Sequence, residues 1–358
     1  MNASLTEPAS GYPPDFPPDW REQLKRLPKA ELHLHLEGSI AQEDLRALAL
    51  RHGDAATARR AQSCYTYQDF SGFLQAFKTV SRLLATPEDY AFILRRLAES
   101  LRAQGVVYAE LILSVGVAHW KGMDWPTIWQ ALENERRRIT GEYGLRLAWI
   151  FDAVRQFGFE PAGRVLAEAL TCRQHGPVVA FGIGGDEAAI EARVFAPLYN
   201  EAAKAGLHRT IHAGESRGPE SVWEAIQELK PERIGHGIGS VQDDALMDKL
   251  AHQNIWLEVC PSSNLRTGVV PSLAGHPIRR LWEKRVPLTL ASDDPAMFET
   301  TLLHELALLP GLGFSWNDLL RLLDNSFAAS FLPEVEKERF RLRLAQALKS
   351  PGAAVKTL

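Results

Sequence analysis

The stretch Ala30-Glu31-Leu32-His33-Leu34-His35-Leu36-Glu37-Gly38-Ser39 decides how the rest of the chain is read. It is an apolar run carrying two histidines one residue apart, and it is closed by a glycine. In an extended strand alternate side chains share a face, so His33 and His35 project together, about 6 to 7 Å apart. One strand thereby offers two imidazoles to one metal ion. Taken alone, the pair fits a structural role equally well.

The chain has 358 residues, 46% apolar and 23% charged, proportions of a folded globular protein. That length admits two or three domains, or one large α/β barrel. Lys and Arg total 40 against 44 Asp and Glu, with no basic arm or stripe. Arg136-Arg137-Arg138 follows Glu133 and Glu135 on a helix-patterned segment and reads as a solvated face, so no nucleic-acid partner is expected. Cys64, Cys172 and Cys260 are widely spaced and form no Cys-x-x-Cys pair. This argues against a disulfide framework or a thiolate zinc site and for a reducing compartment. No secretion-type leader opens the chain, and no apolar run is long enough to span a bilayer. A soluble, cytoplasmic protein without a membrane partner is expected.

Residues 1–18 hold Pro8, Pro13, Pro14, Pro17 and Pro18 with few large apolar groups, which predicts a disordered or surface-wrapped extension. Residues 19–350 read as one barrel domain. Asp19 is the expected cap of a short helix that Pro28 ends. After the first strand, helical spacing recurs over 43–52, 70–84 and 88–103, so a helical insertion of about 41–103 precedes the second strand, Val106 to Leu113. Further apolar strands follow at 145–151, 178–181, 208–212, 233–235, 255–259 and 287–291, with amphipathic segments between them. Eight strand-helix alternations predict a (β/α)8 TIM barrel, closed outside by helices near 301–309, 316–329 and 334–348.

In such a barrel the catalytic groups belong just past the C-terminal strand ends. The polar clusters fall there. His33 and His35 end the first strand; His212-Ala213-Gly214-Glu215, Gly235-His236-Gly237 and Ser292-Asp293-Asp294-Pro295 follow the fifth, sixth and eighth. Three histidines and a carboxylate form a mixed nitrogen and oxygen set that suits Zn2+ first. His33, His35, His212 and Asp293 are the expected ligands of one zinc, with a further position for a water of lowered pKa. Glu215 lies within reach of a substrate above the metal, and His236 is placed to orient the water and take its proton. The remaining histidines, His276 among them, read as structural. No dinucleotide or phosphate-loop motif is complete, and Cys260-Pro261 has the wrong order for the nucleic-acid base deaminases.

Together these motifs, with Gly184-Gly185-Asp186-Glu187 and Cys260-Pro261-Ser262-Ser263-Asn264, resemble the adenosine deaminase family of the amidohydrolase superfamily over about residues 28–345. The resemblance implies a metal-dependent aminohydrolase that removes the 6-amino group of an adenine-type nucleoside as ammonia. It implies that Glu215 protonates purine N1, His236 positions the attacking hydroxide, Asp294 bonds N7, the Gly185 backbone reaches N3 and Glu37 meets the sugar. To bond N7, an acceptor, Asp294 must hold a proton.

Glu37 replaces the aspartate of many adenosine deaminases. Ser263 to Gly268 and Ser292 to Phe298 look more like relatives that deaminate 6-aminodeoxyfutalosine, a nucleoside extended at its 5′ end by a benzoate. Adenosine, deoxyadenosine and 6-aminodeoxyfutalosine are therefore the expected substrates. Adenine, another amidohydrolase substrate and, more remotely, a non-catalytic nucleoside-binding role are the alternatives. Arg266 is a candidate partner for a benzoate, although a loop arginine is more often structural. The Phe70, Phe73, Leu74 and Phe77 stripe is expected to favour core packing over substrate contact.

Overall fold

β1, Lys29–His35, alternates polar with apolar residues as a half-solvated strand would, yet it is buried at every position. Seven more strands follow: β2 Val106–Leu113, β3 Arg146–Val154, β4 Val178–Gly184, β5 His208–Ala213, β6 Arg233–His236, β7 Trp256–Val259 and β8 Leu288–Leu290. They neighbour one another in chain order, each pair parallel. Just beyond β8, Asp293 bridges in parallel to Leu34, which brings the eighth strand back to the first. The computed structural model describes residue 13 and residues 16–349. The expected (β/α)8 barrel is the observed fold.

Helix α1, Pro18–Arg26, precedes β1 and starts with Pro18 at its first position. Asp19 sits inside the first turn instead of capping it, because proline lacks the N–H that a first helical residue leaves unbonded anyway. Phe16 packs edge-on against Trp20. The rest of the expected extension, apart from residue 13 and 16–18, lies outside the described residues.

Four helices separate β1 from β2: α2 Gln42–Arg51, α3 Ala55–Arg59, α4 Phe70–Ser81 and α5 Pro87–Ala103. All four fall within the segment of about 41–103 expected as a helical insertion. Helix α5 begins with a capping box, Thr86 with Asp89, and packs on the helix Trp125–Tyr143. Between β2 and that helix lies the short α6, Val115–Trp120. Arg136, Arg137 and Arg138 pair with Glu133 and Glu135 on their own helix; Arg137 and Arg138 are exposed, whereas both glutamates are buried, so the expected solvated face is limited to the two outer arginines. Among the described residues no helix is long and apolar enough to cross a membrane.

The main core lies between the strands and the outer helices. A smaller apolar group, Ile112, Ile150, Ala180 and Phe331, stands apart from it. Beside this group runs a chain of buried charges. Tyr108 donates to Glu110 at 2.8 Å, Glu110 pairs with Arg233, and Arg233 Nε lies 2.6 Å from Glu258. The Arg233 guanidinium lies 3.7 Å over the Phe331 ring, and Glu258 meets His33 of β1. Buried charges persist only when paired, so this relay ties β1, β2, β6 and β7 to one another.

Removing the central cation strands two buried carboxylates. Arg233→Ala is expected to lower unfolding stability by about 3–5 kcal/mol, read as a drop in the urea midpoint by circular dichroism. A change under about 1 kcal/mol would show that solvent reaches the relay.

Candidate metal centre and active site

The backbone at the strand ends aims the side chains. His236 and Asp293 both adopt left-handed conformations, with φ of 60° and 62°. Such geometry costs a residue with a Cβ roughly 1–2 kcal/mol and is concentrated where function demands it. Two glycines make room. A Cβ on Gly235 would lie 2.6 Å from His33 Cε1, and one on Gly38 would lie 1.7 Å from Asp294 Oδ1. The glycine that ends the opening stretch is what lets Asp294 close on β1.

Four of the expected residues converge. His35 Nε2 lies 3.3 Å from His212 Nε2, and Asp293 Oδ1 lies 3.4 Å from both His33 Nε2 and His35 Nε2. One ligand atom from each of His33, His35, His212 and Asp293 lies within 4.8 Å of the others, and all four residues are buried. His33 Nε2 is buried without a hydrogen-bond partner. An unpaired imidazole nitrogen facing a carboxylate and two further ring nitrogens is what a bound cation would satisfy.

The electrostatics fit the same cation. Burial opposes protonation of His33, yet the Asp293 and Glu258 carboxylates outweigh it and raise His33 to about 10. Burial lowers His35 to about 4 and His212 well below its usual range. Asp293 is held well below the carboxylate range: burial opposes its charge, and the His33, His236 and His35 rings overcome that. The pocket therefore favours an anionic Asp293, neutral His35 and His212 rings and a positive charge on His33, an arrangement that suits a cation at its centre.

Around this cluster the structure adds supports that sequence reading missed. Glu258 Oε2 accepts from His33 Nδ1 at 2.7 Å, which turns Nε2 toward the centre. Glu187 accepts from the backbone N–H groups of Gly214, Glu215 and Ser216 at 2.7, 2.8 and 2.9 Å and from Ser221 Oγ at 2.6 Å. It pins the loop that carries Glu215. A charged residue within the apolar strand after Ile255 was the available signal for Glu258. Glu187 and Asn264 lay inside motifs already singled out.

His276, read from sequence as incidental, stands behind His236. Ile278 N–H donates to His276 Nδ1 at 3.2 Å, so the His276 proton is on Nε2, which donates to Asn264 Oδ1 at 3.2 Å. That orientation leaves Asn264 Nδ2 as the donor to His236 Nδ1 at 3.3 Å. A neutral ring whose Nδ1 accepts must carry its hydrogen on Nε2. Burial lowers His236 to about 4, so the neutral ring is the relevant one. Its Nε2 lies 3.6 Å from Glu215 Oε2 and 3.8 Å from Asp293 Oδ2.

Two carboxyl groups are shifted the other way. Burial, with the nearby charges of Asp293 and Glu187, raises Glu215 well above its usual range. Burial and the adjacent Asp293 do the same for Asp294. Both are shifted toward the protonated form, the direction that a proton donor needs.

A cleft of about 450 Å³ opens over the cluster, lined at its floor by His35, His212, Glu215, His236, Asp293 and Asp294 and at its side by Gly185. This is the size that encloses a small-molecule ligand. One wall is α4: Phe70, Phe73, Leu74 and Phe77 all line the cleft while packing against the core. The expected preference for core contact alone is thus revised, because an amphipathic helix laid across the mouth turns one stripe to both. Glu37 is not among the lining residues. It is buried, and its Oε1 accepts from the N–H of Ser114, a residue that does line the cleft, at 3.1 Å. Arg266 does not line the cleft either: it pairs with Glu299 at 3.4 Å and lies over Tyr67.

The family model described as adenosine deaminase matches residues 28–347. An aminodeoxyfutalosine deaminase of Streptomyces coelicolor is 39% identical over 332 residues, which cover 91% of this chain and 86% of the relative. An adenine deaminase of Rhizobium meliloti is 34% identical over 316 residues, covering 87% and 97%. The crystal structure of an adenine deaminase from Arthrobacter aurescens aligns with a TM-score of 0.85 at 29% identity, over 90% of this chain and 100% of that one.

The hydrogen-bond chain behind His236 makes a specific expectation. Asn264→Asp replaces the donor with an acceptor and moves the His236 proton to Nδ1. The variant should keep its full metal content by elemental analysis and lose about 10²–10⁴-fold in kcat, the range set by a wrong imidazole tautomer. Wild-type turnover would show that the His236 proton position is immaterial.

Proposed function

The chain belongs to the adenosine deaminase family of metal-dependent hydrolases, and from that premise we propose that it hydrolyses the 6-amino group of a nucleoside, 6-aminodeoxyfutalosine foremost. Deamination of an adenine-type substrate is the family's reaction. The observation that carries the mechanism is a buried Glu215, shifted toward its protonated form, set 3.6 Å from His236 at the floor of the cleft.

His33, His35, His212 and Asp293 would hold one divalent cation, with zinc the best match to three imidazoles and a carboxylate. Such a cation activates water by lowering its pKa toward neutrality. Glu215 then donates its proton to purine N1, which makes C6 electrophilic as the ring loses aromaticity. Asp294, also protonated, donates to N7, and the Gly185 N–H meets N3. His236, with its Nδ1 lone pair committed to Asn264, donates from Nε2 to the attacking oxygen. This reading replaces the expectation that it takes the water's proton. The carboxylate left on Glu215 is the base beside it: it takes one proton of the attacking water and passes it to the departing amine. As ammonia leaves, the remaining proton of that oxygen returns to Glu215 and the C6 carbonyl forms, so water is consumed, ammonia is released and Glu215 ends as it began.

The substrate reading rests on the 39% identity to an aminodeoxyfutalosine deaminase and on a cleft that runs beyond the reacting groups to an aromatic wall. Free adenine is the second reading, favoured by the likeness to adenine deaminases in sequence and in structure.

Purine absorbance and ammonia release across adenosine, deoxyadenosine, adenine and 6-aminodeoxyfutalosine will separate the two. The expected order puts 6-aminodeoxyfutalosine first by at least about tenfold in kcat/KM, more than 1.4 kcal/mol of discrimination. Adenine in first place would overturn the nucleoside reading. Glu215→Gln should keep the metal and lose at least about 10²-fold in kcat on the best substrate; near-normal turnover would remove Glu215 from the proton transfer.

A further inference from the structure

The outer half of the cleft differs in chemistry from its floor. Where α4 ends, Lys78 and Arg82 both line the cleft, and both are exposed. Four residues apart on one helix, they share a face. Opposite them α6 presents Trp120, which also lines the cleft and leaves 52% of its surface open. Lys78 Nζ lies 5.1 Å over the Trp120 ring, and Phe157 stacks on that ring at 6.4 Å. Among the described residues neither Lys78 nor Arg82 has a carboxylate partner. Lys121, the other basic residue that lines the cleft, is committed elsewhere, and so is Arg266 outside it. Lys121 donates to the carbonyls of Ser81 and Leu84, and Arg266 pairs with Glu299 away from the cleft. The one acid at the outer edge, Asp186, has its carboxylate turned onto the Ala188 N–H.

We propose that Lys78, Arg82 and Trp120 form a carboxylate-selecting subsite at the cleft mouth, which takes a planar aromatic acid carried beyond the 5′ carbon of the bound nucleoside. The aryl ring covers the open part of Trp120, as exposed aromatic surface in a binding cleft favours. The carboxylate meets the ammonium of Lys78 and the two-pronged guanidinium of Arg82. Lys78 and Arg82 are specificity determinants; they stand apart from the groups that move protons. The subsite deepens the nucleoside reading above and rests on it.

The test compares 6-aminodeoxyfutalosine with its methyl ester, the same nucleoside without the charge, in the wild type and in Lys78→Met/Arg82→Met, which keeps both apolar stems. Wild type should favour the acid over the ester by at least about tenfold in kcat/KM, the worth of one charge-assisted contact. In the double variant this ratio should fall to within about threefold of unity, with the loss appearing in KM for the acid. Arg82→Met alone, at an exposed helix end, reads the same ratio if the double variant is unstable. A ratio that the substitutions leave unchanged, or acid and ester used equally by the wild type, would overturn the subsite while the nucleoside reading stands. Wild type that deaminates adenosine but neither the acid nor the ester would overturn the subsite alone, and wild type that deaminates adenine but none of the nucleosides would overturn both.

Discussion

Two hydrogen bonds at the seam of the barrel govern the rest of the molecule. Asp293 N–H donates to the His33 carbonyl at 3.1 Å, and His35 N–H donates to the Asp293 carbonyl at 2.8 Å. They join the end of the eighth strand to the end of the first and so close the sheet. The same two bonds set the Asp293 carboxylate against the two imidazoles of β1. Closure of the fold and assembly of the ligand set are one event, and the left-handed backbone at Asp293 is its local cost. The Ser292 N–H bond to Glu31 holds the seam one residue earlier.

Burial then sorts the acids. One buried site contains a carboxyl group shifted toward its ionised form, Asp293, and two shifted toward their protonated forms, Glu215 and Asp294. What separates them is neighbourhood: Asp293 faces imidazoles, whereas the other two face Asp293. Like charges packed in low dielectric cannot all ionise, so fixing one anion among the imidazoles makes proton donors of the carboxyl groups beside it. The Glu258–Arg233–Glu110 relay extends that logic down the barrel, holding the His33 ring in one orientation from behind. His276 and Asn264 do the same for His236 through hydrogen bonds alone.

The walls of the cleft have a separate origin. The floor comes from strand ends and is rigid. The wall comes from α4, in the insertion between β1 and β2, and from the short α6 after β2. The reaction is thus placed by the barrel, while the part of the substrate remote from C6 meets elements added to it. Loop-borne recognition on a fixed scaffold is how this fold class varies its substrates.

Much of this was legible in the chain. The period-two spacing of His33 and His35, the turn residues after the apolar strands and the eight alternations are local properties, and they were enough to predict the barrel and the four-residue cluster. Asp19 misled because Pro18 can itself open a helix, its missing N–H being one that the first turn leaves unbonded. The aromatic stripe of α4 was visible, but periodicity reports that a face is apolar and cannot say whether it meets core or cleft. The relay behind His236 joins His276, Asn264 and Ile278 through contacts made only on folding, so a histidine with no motif became a support for the active site. Sequence by itself determined which groups could do chemistry, because residue type and strand period are written along the chain. Tertiary structure alone decided which of them are charged, which nitrogen carries the proton and which cations remain free, because those depend on what lies within a few ångströms across the fold.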